Sequence, residues 1–184
     1  MVYFESAKEN NTENTLQLTK NEAIKRGIKY VVVASTSGGT GLRAAQILQN
    51  SGIKLIVVAH STGHREAGNQ LMDPEIKKQI ENLGATVFIG TDVLTGFTRA
   101  MREKERFTEL TLISDTLRMF GQGMKVCIEI VAMASDANLL PLGDVISVAG
   151  TAKGADTSVI INANSTNHFF SIKVREILAK PRDF

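Results

Sequence analysis

Between Tyr30 and Leu48 the chain reads YVVVASTSGGTGLRAAQIL, an order that few folds accommodate. No polar residue interrupts Val31–Val33, so this short β-branched run predicts a strand covered on both faces, as in a parallel sheet. Glycine, serine and threonine then break the run. Leu42, Ala45 and Leu48 follow on one face of a helix. The same alternation recurs along the chain. Lys54–Ala59 (KLIVVA), Ala85–Ile89 (ATVFI), Asp144–Ala149 (DVISVA) and Thr157–Asn162 (TSVIIN) read as further strands. Asn11–Gly27 reads as a helix, and Asp73-Pro74-Glu75 opens another with a capping carboxylate, a proline at the first helical position and an acid in the first turn. Strands separated by helices imply right-handed crossovers and a doubly wound α/β/α sandwich on a mainly parallel sheet. The loop before the fifth strand is too short for a parallel return, so that strand is expected to be antiparallel.

The remaining segments are less regular. Thr91–Thr108 predicts loop or a loosely attached helix. Thr108 caps a helix that turns Leu110, Ile113, Leu117 and Phe120 inward, and Met124–Asn138 forms a much more apolar one. The tail from His168 to Leu178 is compatible with strand or helix.

Composition narrows the class. A chain of 184 residues, 43% hydrophobic and 22% charged, suits one globular domain spanning residues 1–184. A single cysteine forms no intramolecular disulfide and no cysteine-rich metal site. No apolar stretch approaches the roughly 20 residues that span a bilayer, and Met1–Asn14 has no secretory pattern. A net charge of +2 gives no general reason to expect nucleic acid. A cytoplasmic protein without membrane or nucleic-acid partners is expected. The apolar Met124–Leu140 helix hints at burial in a homo-oligomer.

In open α/β sheets ligands bind beyond the carboxyl ends of the strands. Ser35–Gly41, His60–His64, Gly90–Phe97 and Gly150–Thr157 fall there, and three of the four are rich in Gly, Ser and Thr. Around Ser35, Thr36, Ser37, Gly38, Gly39, Thr40 and Gly41 the glycines permit close backbone approach, and the helix that starts here presents unpaired amides. Amides and hydroxyls at a helix N-terminus suit a phosphate monoester; the competing reading is a strand-to-helix turn whose hydroxyls merely cap. No Lys follows a glycine before Thr40, so the loop is not a Walker A element. The loop from Gly150 to Thr157 offers Thr151 and Thr157 as donors, Lys153 as a neutralising charge and Asp156 as an acceptor, or is simply a long hairpin turn. Ser61 and Thr62 are expected to contact ligand, with His60 closing the strand end. His60 and His64 are two imidazoles on a glycine-containing loop, with no thiol, and no carboxylate beyond Glu66, to complete a set; no metal is expected. Lys125 and Glu129 form an ion pair near a site or, with Asp136, the wet stripe of their helix. Cys127 reads as a core thiol. Arg99–Arg106 is a solvated face or a lid.

Three of these segments, YVVVASTSGGTGLRAA, KLIVVAHS and GDVISVAGTAKGADTS, resemble in order the first β–loop–α unit, second strand and final glycine loop of the pyruvate kinase C-terminal domain. FGQGMKVCIEI and ANSTN extend the likeness to the stand-alone archaeal and bacterial proteins of that fold. The resemblance implies a five-stranded mixed sheet with the last strand antiparallel, and a ligand, flavin mononucleotide. Its phosphate would lie on Ser35–Gly41, and Ser61, Thr62, Gly150, Thr151 and Asp156 would approach the ribityl chain or ring. Pyruvate kinase activity does not follow, because its catalytic barrel needs about 200 further residues. Two functions remain open: a flavin-binding protein with or without oxidoreductase activity, and a non-catalytic sensor for a sugar phosphate or nucleotide. The sequence alone places no acid–base pair together, which favours the sensor.

Overall fold

The computed structural model describes residues 1–7, 9–151 and 153–184. In chain order its elements are β1 (Val2–Ser6), α1 (Thr12–Arg26), β2 (Tyr30–Ala34), α2 (Gly39–Leu48), β3 (Lys54–Ala59), α3 (Pro74–Asn82), β4 (Thr86–Ile89), α4 (Gly96–Arg102), α5 (Glu109–Arg118), α6 (Gln122–Asp136), β5 (Gly143–Ala149), β6 (Thr157–Ala163) and β7 (Lys173–Asp183), with a 3₁₀ turn over Thr166–Ser171. They build one mixed sheet in the order β1-β7-β6-β5-β2-β3-β4.

The apolar runs pack as their pattern requires. Val31, Val32 and Val33 are fully buried. Because successive side chains alternate across a strand, Val31, Val33, Leu55 and Val57 meet Leu16, Ala45, Leu48 and Ile80 of α1, α2 and α3. Val32, Ile56 and Val58 face the other way, onto Cys127, Ile130, Val131 and Ala134 of α6. Two cores on one sheet give the three layers. β6 runs antiparallel to β5, as the short loop between them dictates. The five strands read from the sequence form the body of the sheet; β7 and β1 extend it, β7 antiparallel to β6 and β1 parallel to β7. Pro181 falls past Ala179, the last β7 residue matched to β6, where a missing N–H takes nothing from that ladder.

Helix ends follow local chemistry. Asn11 precedes α1, and Gly27 closes it at φ +67. Asp73 Oδ1 accepts from the amides of Glu75 (2.8 Å) and Ile76 (3.1 Å), capping α3. Asp73→Ala is expected to cost about 1 kcal/mol, read as a lowered urea midpoint at unchanged m.

Two expectations are corrected. On α5, Ile113 and Leu117 are half-buried, but Leu110, Leu112 and Phe120 are exposed while Thr111 and Ser114 are buried. Besides Leu117, which packs on the α6 core, the helix turns a hydroxyl inward: Ser114 Oγ donates to the Leu94 carbonyl at 3.5 Å, the oxygen that also accepts from Thr98 Oγ1 of α4 at 2.9 Å. On α6, Lys125 and Glu129 are 1% and 3% exposed, so they are no wet stripe; only Asp136 is exposed, accepting from the amide and hydroxyl of Thr166. The apolar surface of α6 is covered within this chain, by the sheet on one side and by Leu117, Phe169 and Ile172 beyond it. Cys127 is buried, and loss of solvation pushes its thiol far above the ordinary range.

Candidate functional site

Strand order reverses beside β2, which has β3 on one side and β5 on the other. At such a switch point the loops leaving the two central strands part and open a crevice. Here a cleft of about 690 Å³ is lined by the loop after β2, by His60 after β3 and by the Gly150–Gly154 turn after β5.

The three glycines of the first loop do different work. Gly38 turns the chain at φ +101, and a Cβ there would lie 2.5 Å from Ile76 Cγ2. A Cβ on Gly41 would lie 2.6 Å from Val57 Cγ1. Both let α2 press onto α3 and the sheet, and neither lines the cleft. Gly39 does line it, and a Cβ there would meet nothing within 4 Å. All four hydroxyl residues of the loop line the cleft, but their hydroxyls are used differently. Ser35 Oγ accepts from the Gly41 amide at 3.0 Å, so this serine caps α2. Thr36, Ser37 and Thr40 line the cleft, and neither their hydroxyls nor the amides of Gly39 and Thr40 have a hydrogen-bond partner among the described residues.

In the turn after β5, Asp156 is buried and organises the backbone. Oδ2 accepts from the Thr151 amide at 2.9 Å and Oδ1 from Thr157 Oγ1 at 2.6 Å. Thr157 sits behind the turn, where a Cβ on Gly123 would come within 2.2 Å of its Oγ1. Gly150 and Thr151 line the cleft, whereas Asp156 and Thr157 hold Thr151 in place. The Thr151 hydroxyl is buried without a hydrogen-bond partner among the described residues. Ala152 of this turn lies outside the described residues. Ser61 and Thr62 do not line the cleft; Thr62 Oγ1 accepts from Gln70 Nε2 at 3.2 Å, and that amide also reaches the His60 carbonyl.

The far wall is ionic; sequence reasoning offered its Lys125–Glu129 pair as one alternative and missed Asp92 and the tether to Leu94 and Thr95. Lys125 Nζ makes a short contact with Glu129 Oε2. Glu129 Oε1 accepts from the amides of Leu94 (2.8 Å) and Thr95 (3.1 Å) and from Thr95 Oγ1 (3.2 Å). Burial pulls the Lys125 ammonium below its ordinary value, against the pull of Glu129.

Beside this pair, His60 Nδ1 lies 3.0 Å from Asp92 Oδ1 and His64 Nδ1 3.4 Å from Asp92 Oδ2. The two rings stack with centroids 3.7 Å apart. Asp92 is therefore the carboxylate that the sequence reading lacked for these histidines. The pairing of Ala59 with Ile89 explains why: it sets the ends of β3 and β4 side by side, so residues 32 apart in sequence meet. Burial raises the Asp92 carboxyl, but the two imidazoles more than offset this and hold it below its ordinary value. Arg99 of α4 donates to the His64 carbonyl and lies 3.2 Å from His64 Nε2. Burial, with His60 and Arg99 nearby, keeps His64 below its ordinary value despite Asp92.

No known protein-family model matches the chain. Among solved structures, a pyruvate kinase from Cryptosporidium parvum is similar over 85% of this chain, at 11% identity and a TM-score of 0.44, and this chain spans 23% of that one. An NMN synthetase from Francisella tularensis is similar over 78% of this chain and 54% of its own, at 16% identity and a TM-score of 0.40. An O-ureido-L-serine synthase is similar over 74% and 50%, at 18% identity and a TM-score of 0.32.

Proposed function

We propose that the cleft binds a small phosphorylated ligand, flavin mononucleotide first among the candidates. The observation that carries the reading is the pair of unpartnered amides of Gly39 and Thr40 at the start of α2, beside the free hydroxyls of Thr36, Ser37 and Thr40, all facing one cleft. Such amides carry the positive end of the helix dipole, and a dianionic phosphate satisfies them together. The phosphate would sit there. The buried, unpartnered Thr151 hydroxyl is suited to a polar atom further along the ligand, and about 690 Å³ lies within the usual range for cofactor sites. When bound, a flavin supplies one- and two-electron transfer. The chain's part is to hold the phosphate, to orient the remainder against Ile130 and Met133, and to set polarity through Lys125 and Glu129.

A sugar phosphate or nucleotide is the second reading. The ionic wall of Lys125, Glu129, Asp92 and His60 favours it, since these groups bind hydroxyls better than a flavin ring.

Thermal denaturation separates the readings. A ligand at a hundred times its dissociation constant adds about 2.7 kcal/mol of stability. Flavin mononucleotide is expected to raise Tm, whereas riboflavin, which lacks the phosphate, is not. Gly39→Asp puts a carboxylate where the phosphate would lie and is expected to abolish the response at unchanged basal Tm, because nothing crowds a Cβ there. A sugar phosphate that raises Tm when flavin mononucleotide does not would decide for the second reading.

A further inference from the structure

We propose that His60, His64 and Asp92 form a binding site for one first-row divalent cation of the zinc or cobalt type. The ligating atoms of all three residues lie within 4.8 Å of one another. The two Nδ1 atoms converge on one carboxylate, at 3.0 and 3.4 Å from its two oxygens. To hold one cation the two imidazoles, now stacked with centroids 3.7 Å apart, would turn so that both Nδ1 lone pairs aim at a point beside a single Asp92 oxygen. Two imidazoles and a carboxylate suit zinc, cobalt, nickel or ferrous iron, and not magnesium or calcium, which take oxygen ligands. Asp92 is 5% exposed, so little of its charge is screened by water and a cation would take the place of the two imidazole contacts it now makes.

His60, His64 and Asp92 also line the cleft. Three protein ligands leave coordination positions open, so a bound cation would face whatever occupies the cleft. The site does not depend on the phosphate reading, because the metal alone is its probe.

Arg99 competes with the cation. With Nδ1 on a metal, His64 Nε2 carries the proton and no longer accepts from Arg99, whose other bond, to the His64 carbonyl, is unaffected. Removing the guanidinium therefore removes both a rival hydrogen bond and a nearby positive charge.

The test is titration of tag-free apo protein with Co²⁺, followed by visible absorption, and with Zn²⁺, followed by calorimetry. One equivalent per chain is expected to bind, with ligand-field bands appearing for Co²⁺. His60→Ala and Asp92→Asn are expected to weaken binding at least about tenfold. Arg99→Ala is expected to strengthen it several-fold, an effect that a merely structural role for the cluster would not produce. His168→Ala, which removes the one histidine outside the cluster, should change nothing. Far-UV circular dichroism checks folding; if Asp92→Asn fails to fold, the half-exposed His60→Ala carries the test. The proposal is overturned if Co²⁺ produces no bands, if binding is no tighter than in His60→Ala, or if His168→Ala removes it.

Discussion

Replacing Glu129 with alanine is expected to lower the unfolding free energy by about 3–5 kcal/mol, the usual cost of breaking a buried ion pair from one side. Lys125, 1% exposed, would be left charged and unpaired or forced neutral. The amides of Leu94 and Thr95 would lose the only acceptor they have among the described residues as well. Urea denaturation at constant m reads the total. The double variant Lys125→Met/Glu129→Leu separates the parts: it removes the stranded charge but still orphans the two amides, so it should recover part of the loss and retain a deficit of about 1–3 kcal/mol. Full recovery by the double variant would show that the amides find water instead. The single variant also loosens the segment that begins at Asp92, two residues before Leu94, so the cleft wall should lose order together with stability.

Neither charge was legible as a tether. A Lys–Glu pair one turn apart on a helix normally marks the wet side. What overrides that pattern here is a set of partners 34 and 35 residues away in sequence. Asp92 was hidden for the same reason. By contrast, everything set by neighbours in the chain could be read directly: the Val31–Val33 run, the Asp73-Pro74 helix start, Gly27 as a cap, and the antiparallel fifth strand. On α5, counting apolar residues at helical spacing placed Ile113 and Leu117 correctly but turned Leu110 inward in place of Thr111 and Ser114, which are the buried residues. β1 and β7 were illegible because VYFES is short and mixed, while KVREILAKPRD carries charges and a proline. Of the candidate site, the α2 end and His60 were anticipated from sequence, the Lys125–Glu129 pair was one of two alternatives, and Asp92 was not foreseen.

Gly38→Ala should be the most damaging small change in the first loop. The native φ of +101 is strained for any residue with a Cβ, and the added methyl would meet Ile76 Cγ2 at 2.5 Å and Met72 Sδ at 3.1 Å. Backbone strain of about 1–3 kcal/mol combines with overpacking of similar size, partly relieved by a shift of α3, for a net loss of about 2–4 kcal/mol. Gly39→Ala, one residue on, should cost almost nothing, since its Cβ meets open space. Thermal or urea melts of the two variants side by side make the comparison. Equal losses would mean that the α2 start relaxes freely, and its amides would then be poorly prepared to hold an anion.

The strand pairing at one edge of the sheet has a kinetic side. Val2 lies against Ala179 and Ser6 against Asp183, so β1 joins a strand almost a whole chain length away. Closing so long a loop slows folding, while β6 needs only a short turn to find β5. During refolding the outer margin of β7 is therefore expected to stay bare longer than the β5–β6 pairing takes to form, and bare strand margins are what partly folded chains use to stick to one another.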